Sequence, residues 1–149
     1  MLNKLIAFFN NELQVESEEN KTEQIQQACA VLLIEVSKAD YEECDNERET
    51  IRASLSAWFD LSDAKLAELI QLGEEQSKES TSMYPFVKLI NENYQYEQRV
   101  ELLSKMWQVA YADKIISKYE DFIIRKVADL LHISHSDFIK TKLDQGSKV

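Results

Sequence analysis

The sequence predicts an all-α fold: a single-domain bundle of about eight helices, built from two similar repeated units. Three observations predict it. The 149 residues include only two glycines, Gly73 and Gly146, and one proline, Pro85, too few for the tight turns of a sandwich or barrel. Apolar residues recur at helical spacing through most of the chain. Residues 35–62 also recur in recognisable form at 108–134.

The elements follow in order. Leu2, Leu5, Ile6, Phe8, Phe9 and Leu13 mark an amphipathic helix over 2–13. Glu16 to Lys21 reads as a polar linker, so residues 1–20 form an N-terminal helix and linker, and 21–149 the helical domain. A helix over 22–39 is marked by Ile25, Cys29, Leu32 and Val36, with Ala28 and Leu33 widening the stripe. Helices over 45–59 and 63–77 are separated by a break at Asp60–Ser62. Pro85 suits the first turn of a helix over 83–93, where no backbone hydrogen bond is lost. Val100, Leu103, Trp107 and Ala110 define 96–112. Ser117-Lys-Tyr-Glu120 fits a capping box opening 118–131, whose apolar positions are Ile123, Val127, Leu130 and Leu131. A last helix covers 135–144. Trp58, Trp107, Tyr119 and Phe122 are spaced as core or near-core aromatics.

Charge narrows the function. The net charge is −10, and residues 1–75 hold 6 basic and 17 acidic side chains against 11 and 10 in residues 76–149. A nucleic-acid binder needs a basic surface and is disfavoured. The acidic half is either a solvated surface or a docking face. The longest apolar run, Ala28 to Ile34, is far short of the ~20 residues of a membrane span. The N-terminal stretch is too short for a secretory apolar region, so Cys29 and Cys44 are expected to be reduced thiols in a cytoplasmic protein. The 2–13 helix serves either as a lid on the bundle or as a patch for a partner or peripheral membrane association.

The repeat carries the chemistry. Glu35-Val-Ser-Lys-Ala-Asp40 aligns with Gln108-Val-Ala-Tyr-Ala-Asp113, Glu47 with Glu120, and Ile51-Arg52 with Ile124-Arg125. With one extra residue allowed in the first copy, Trp58-Phe59-Asp60-Leu61-Ser62 matches Leu130-Leu131-His132-Ile133-Ser134. Two such units form a pseudo-symmetric bundle with both acidic loops in equivalent positions. Asp40, Glu47, Asp113 and Glu120 then present oxygen-only ligands suited to Ca²⁺, Mg²⁺ or Mn²⁺ rather than Zn²⁺. The same residues also suit helix capping and the macrodipole, and residue types alone leave both readings open. Neither loop has the glycine and alternating oxygens of an EF-hand. His132 and His135 lack further zinc ligands nearby. There is no nucleophile elbow, so no enzyme is expected.

Leu33-Ile-Glu-Val-Ser-Lys-Ala-Asp40 and Trp107-Gln-Val-Ala-Tyr-Ala-Asp113 resemble the repeated Val-Ala-x-Ala-Asp-Gly elements of the TerB-like superfamily, named for tellurite resistance. Phe86 to Asn93, Ile124 to Leu131 and His135 to Ile139 are similar to its small stand-alone bacterial branch. The resemblance covers roughly residues 22–145. It implies a two-unit helical bundle, an association with tellurite and stress resistance, and related domains in membrane-linked co-chaperones. It also implies a metal site at Asp40 and Glu47 of one unit and Asp113 and Glu120 of the other. The family's glycine after each Asp is replaced here by Tyr41 and Lys114; a loop with positive φ there would strain both residues. The expected function is a stress-associated binding module for a divalent cation. The alternative is a metal-free protein–protein interaction module, monomeric or dimeric, using the acidic half or the N-terminal helix.

Overall fold

The computed structural model describes residues 18–38, 45–80 and 82–148. Seven α-helices account for nearly all of them: α1 (Glu18–Lys38), α2 (Asp45–Phe59), α3 (Asp63–Glu79), α4 (Tyr84–Asn93), α5 (Tyr96–Ala110), α6 (Lys118–Leu130) and α7 (His135–Gly146). A single 3₁₀ turn, Tyr111–Asp113, prolongs α5. No strand occurs among the described residues. The helix expected over 2–13 lies outside the described residues, as does Cys44. α1 begins at Glu18 and so absorbs part of the expected linker. The Glu-Glu start that reads as polar linker is also favourable chemistry for the positive end of a helix.

α1 is the central post. Its apolar run Ala28–Ile34 is buried on every side, together with Val36, as expected of a helix that is apolar all round. It packs against α3, α4, α5, α2 and α6. α5 is the second post, burying Leu102, Leu103, Met106, Trp107, Val109 and Ala110, and it packs against α7, α1, α2 and α6.

The contacts are reciprocal. α1–α2–α3 and α5–α6–α7 are the two repeats; α1 meets α5, α1 meets α6, and α5 meets α2. α4 joins them through Phe86, Val87, Leu89 and Ile90. The burial pattern repeats as well: Glu47, Ile51, Ser54 and Leu55 are buried on α2, and Glu120, Ile124, Val127 and Ala128 at the matching positions of α6.

The turns after α2 and α6 agree in backbone conformation. Asp60 (φ 51°) and His132 (φ 58°), aligned by the repeat, are both left-handed. After α6, His132 N–H donates to Asp129 O (3.1 Å) and Ile133 N–H to Ala128 O (3.0 Å), the Schellman arrangement. Each turn then ends on a serine N-cap. Ser62 Oγ accepts from Lys65 N–H (3.3 Å), and Ser134 Oγ from Asp137 N–H (3.1 Å).

α3 reaches α1 closely because Gly73 lacks a side chain. A Cβ there would lie 2.9 Å from Ile34 Cδ1 and 3.3 Å from Ala30 Cβ. Above this contact the Ser77 hydroxyl donates to Glu35 and accepts from Lys38 Nζ at 2.8 Å, tying the two helices together. Two of the expected core aromatics differ: Tyr119 and Phe122 are 54% and 62% exposed, because α6 turns its Glu120–Ile124–Val127 stripe inward instead.

Candidate functional site

The site begins with two glutamates at the same place in two helices. Glu47 is the third residue of α2 and Glu120 the third of α6. Their exposures are 0% and 1%. Carboxylates are rarely taken fully out of water, because desolvating an anion costs on the order of several kcal/mol. Here the fold buries one at each of two equivalent positions.

Glu120 is held by its capping box. Its Oε1 accepts the Ser117 backbone N–H (2.9 Å), and its own N–H donates to Ser117 Oγ (3.1 Å). The cap explains one oxygen. Oε2 is buried with no hydrogen-bond donor among the described residues, so an acceptor remains available for a cation.

The helices that carry the two glutamates each pack against the other repeat. α2, which carries Glu47, lies against the Tyr111–Asp113 turn of the second repeat. α6, which carries Glu120, lies against α1. Asp40 lies outside the described residues. Asp113 closes the 3₁₀ turn, and its side chain is likewise outside them. Among the described residues no group of three or more His, Cys, Asp or Glu is arranged to hold a metal.

The histidines and cysteine are placed apart from this chemistry. His132 is exposed at its left-handed turn position, and the His135 ring lies parallel to Phe138 at 6.0 Å. Cys29 is buried. Burial pushes its thiol up to about 12, despite a long contact (3.9 Å) with the Tyr94 hydroxyl, so it stays protonated and unreactive at neutral pH.

The family described as Tellurite resistance protein TerB matches residues 26–143. The chain belongs to the TerB family. The match covers both repeats, from within α1 to within α7. No curated protein and no solved structure matches the chain.

One departure from the TerB pattern has a direct structural readout. Lys114, in place of the family's glycine, adopts φ 69° and ψ −6°. The loop therefore does turn through the left-handed region at this residue, and the lysine Cβ bears the steric cost. That cost is roughly 1–2 kcal/mol for an L-residue, offset in part by the greater freedom of glycine in the unfolded chain. Lys114→Gly should stabilise the protein by about 0.5–1 kcal/mol and raise Tm by roughly 2–4 °C in a circular-dichroism melt. A lower Tm would show that the lysine side chain contributes more than its backbone costs.

The exposed aromatic face of α6 escapes sequence reasoning. Its signal is the position of Glu120: once that residue is placed in the buried stripe, Tyr119 and Phe122 must point outward.

Proposed function

We propose that this TerB protein is a stress-associated binding module that takes up a divalent cation through Asp40 and Glu47 of the first repeat and Asp113 and Glu120 of the second. The observation that carries this reading is the burial of two glutamates at equivalent helix positions, one with a carboxylate oxygen that lacks any hydrogen-bond donor among the described residues. An ion meets the Glu120 Oε2 that has no donor among the described residues and offsets its desolvation. Oxygen-only ligands favour Ca²⁺, Mg²⁺ or Mn²⁺, whereas Zn²⁺ prefers nitrogen and thiolate. The ion's role is cross-linking of the two repeats, with no catalytic step assigned to it. Lys114 beside Asp113 lowers affinity, which suits a site that responds to elevated metal.

The test is calorimetric titration with Ca²⁺, Mg²⁺, Mn²⁺ and Zn²⁺. Saturable heat is expected with the first three, and its loss when Asp40→Asn and Asp113→Asn are combined. Absence of heat at millimolar metal, or a double variant that binds as well as the wild type, would sink the reading.

A specific feature also favours the metal-free alternative. A groove between α1 and α3 is lined by Leu61, Leu69 and Leu72 and by Glu19, Glu23 and Glu68, with Lys65 as its one cation among the described residues, 4.0 Å from Glu23. Its chemistry fits a basic, apolar segment of a protein partner.

A further inference from the structure

Five large apolar side chains stand exposed between residues 115 and 143, and three of them fall within eight consecutive residues: Ile115 at 77%, Tyr119 at 54% and Phe122 at 62%. Ile115 is in the loop before α6. Tyr119 and Phe122 are three apart on α6, opposite its buried stripe of Glu120, Ile124, Val127 and Ala128. Lys118 and Lys126 flank Phe122 at i−4 and i+4, and Lys114 belongs to the same loop. All three lysines are exposed.

The sister repeat provides an internal control. In the register that pairs Glu47 with Glu120, Tyr119 corresponds to Asn46, Phe122 to Glu49, Lys118 to Asp45 and Lys126 to Ala53. α2 forms the same helix and buries the same positions with none of these aromatic or basic residues. The equivalent helix therefore folds without them. An aromatic side chain exposed where the equivalent helix carries a carboxylate is a feature of binding rather than of folding.

We infer that this face of α6 docks on an anionic lipid surface, with Ile115, Tyr119 and Phe122 entering the interfacial region and Lys114, Lys118 and Lys126 meeting the headgroups. Charge complementarity selects the partner's sign: the face carries three lysines against one exposed carboxylate among the described residues, Asp129, at i+7 from Phe122, although the chain's net charge is −10. Its shape selects a bilayer over a folded protein. A stable protein interface takes roughly 800 Å² from each partner, whereas this is a convex strip along less than three helical turns. A bilayer needs no matching groove, accepts aromatic rings at headgroup level and lets lysines extend around them. Each lysine near an anionic surface adds to the attraction, which falls with salt. The inference is independent of the proposed cation site.

The experiment is co-sedimentation of the full chain with phosphatidylcholine vesicles, with and without phosphatidylglycerol, in chelator. Wild-type protein should partition onto the phosphatidylglycerol vesicles at least tenfold more strongly than onto phosphatidylcholine alone, and less as salt rises. Phe122→Glu installs the sister repeat's residue and should keep the wild-type melting curve while losing at least tenfold in partitioning. Lys118→Gln with Lys126→Gln should do the same. No sedimentation of the wild type, equal partitioning onto both vesicles, or unaltered partitioning of both variants would overturn the inference. Binding to polyglutamate in solution without binding to vesicles would overturn it in favour of an acidic protein partner.

Discussion

Trp107→Ala should lower stability by about 3–5 kcal/mol, a fall in Tm of roughly 10–15 °C. Trp107 is fully buried on α5, and its ring makes an edge contact with Phe138 of α7 at a centroid distance of 5.3 Å. Lys142 Nζ lies 5.3 Å from the ring centroid and 3.6 Å from Asp121 of α6. Arg125 of α6 covers the Phe138 ring at 4.7 Å. One side chain thus organises the junction of all three helices of the second repeat. Truncation leaves a cavity that these partners cannot fill without moving, which is where the cost exceeds simple transfer from water. Trp107→Phe should lose less than half as much, because the indole N–H is buried without a hydrogen-bond partner among the described residues and nothing polar is orphaned by removing it. Urea unfolding of both variants distinguishes the cases. A Trp107→Ala loss of only about 1 kcal/mol, the value for an average substitution, would mean that the junction collapses readily.

The helices were largely legible because their signals were local. Pro85 does sit at the start of α4, and Ser117 and Glu120 do form the capping box. The repeat was legible too, and its consequences reached further than pattern matching: the aligned Asp60 and His132 share a left-handed backbone, and the aligned Ser62 and Ser134 both cap the next helix. What misled was a charged residue in the core. Apolar counting places Ile123 and Leu130 in the inward stripe of α6, yet both are only partly buried. The inward stripe runs through Glu120, Ile124, Val127 and Ala128. Hydrophobic periodicity cannot assign an inward position to a carboxylate, so it rotates the helix by part of a turn and turns Tyr119 and Phe122 toward the core. The same blind spot hides the burial of Glu47. The four carboxylates could be chosen by alignment, but that Glu47 and Glu120 are taken fully out of water is tertiary information.

That burial sets the second large effect. In saturating Ca²⁺ the wild type should gain about 2.7 kcal/mol at a hundredfold excess over Kd, a rise in Tm of roughly 5–10 °C, whereas Glu47→Gln combined with Glu120→Gln should show no calcium-dependent shift. Glutamine is the discriminating substitution because it separates capping from charge. At position 120 its carbonyl oxygen can still accept the Ser117 N–H that Glu120 Oε1 accepts now, and capping boxes use Glu or Gln alike. Only the negative charge and the second anionic oxygen are removed. Without metal, Glu120→Gln alone should be at least as stable as the wild type, since it keeps the Ser117 contact and removes a buried anionic oxygen that has no donor among the described residues. The order of stabilities should therefore invert for that single variant: at or above the wild type in chelator, below it in calcium. Capping alone predicts no inversion, because a cap is indifferent to calcium. An equal calcium shift in the wild type and the double variant would place the ion on other carboxylates and leave the two buried glutamates as structural residues.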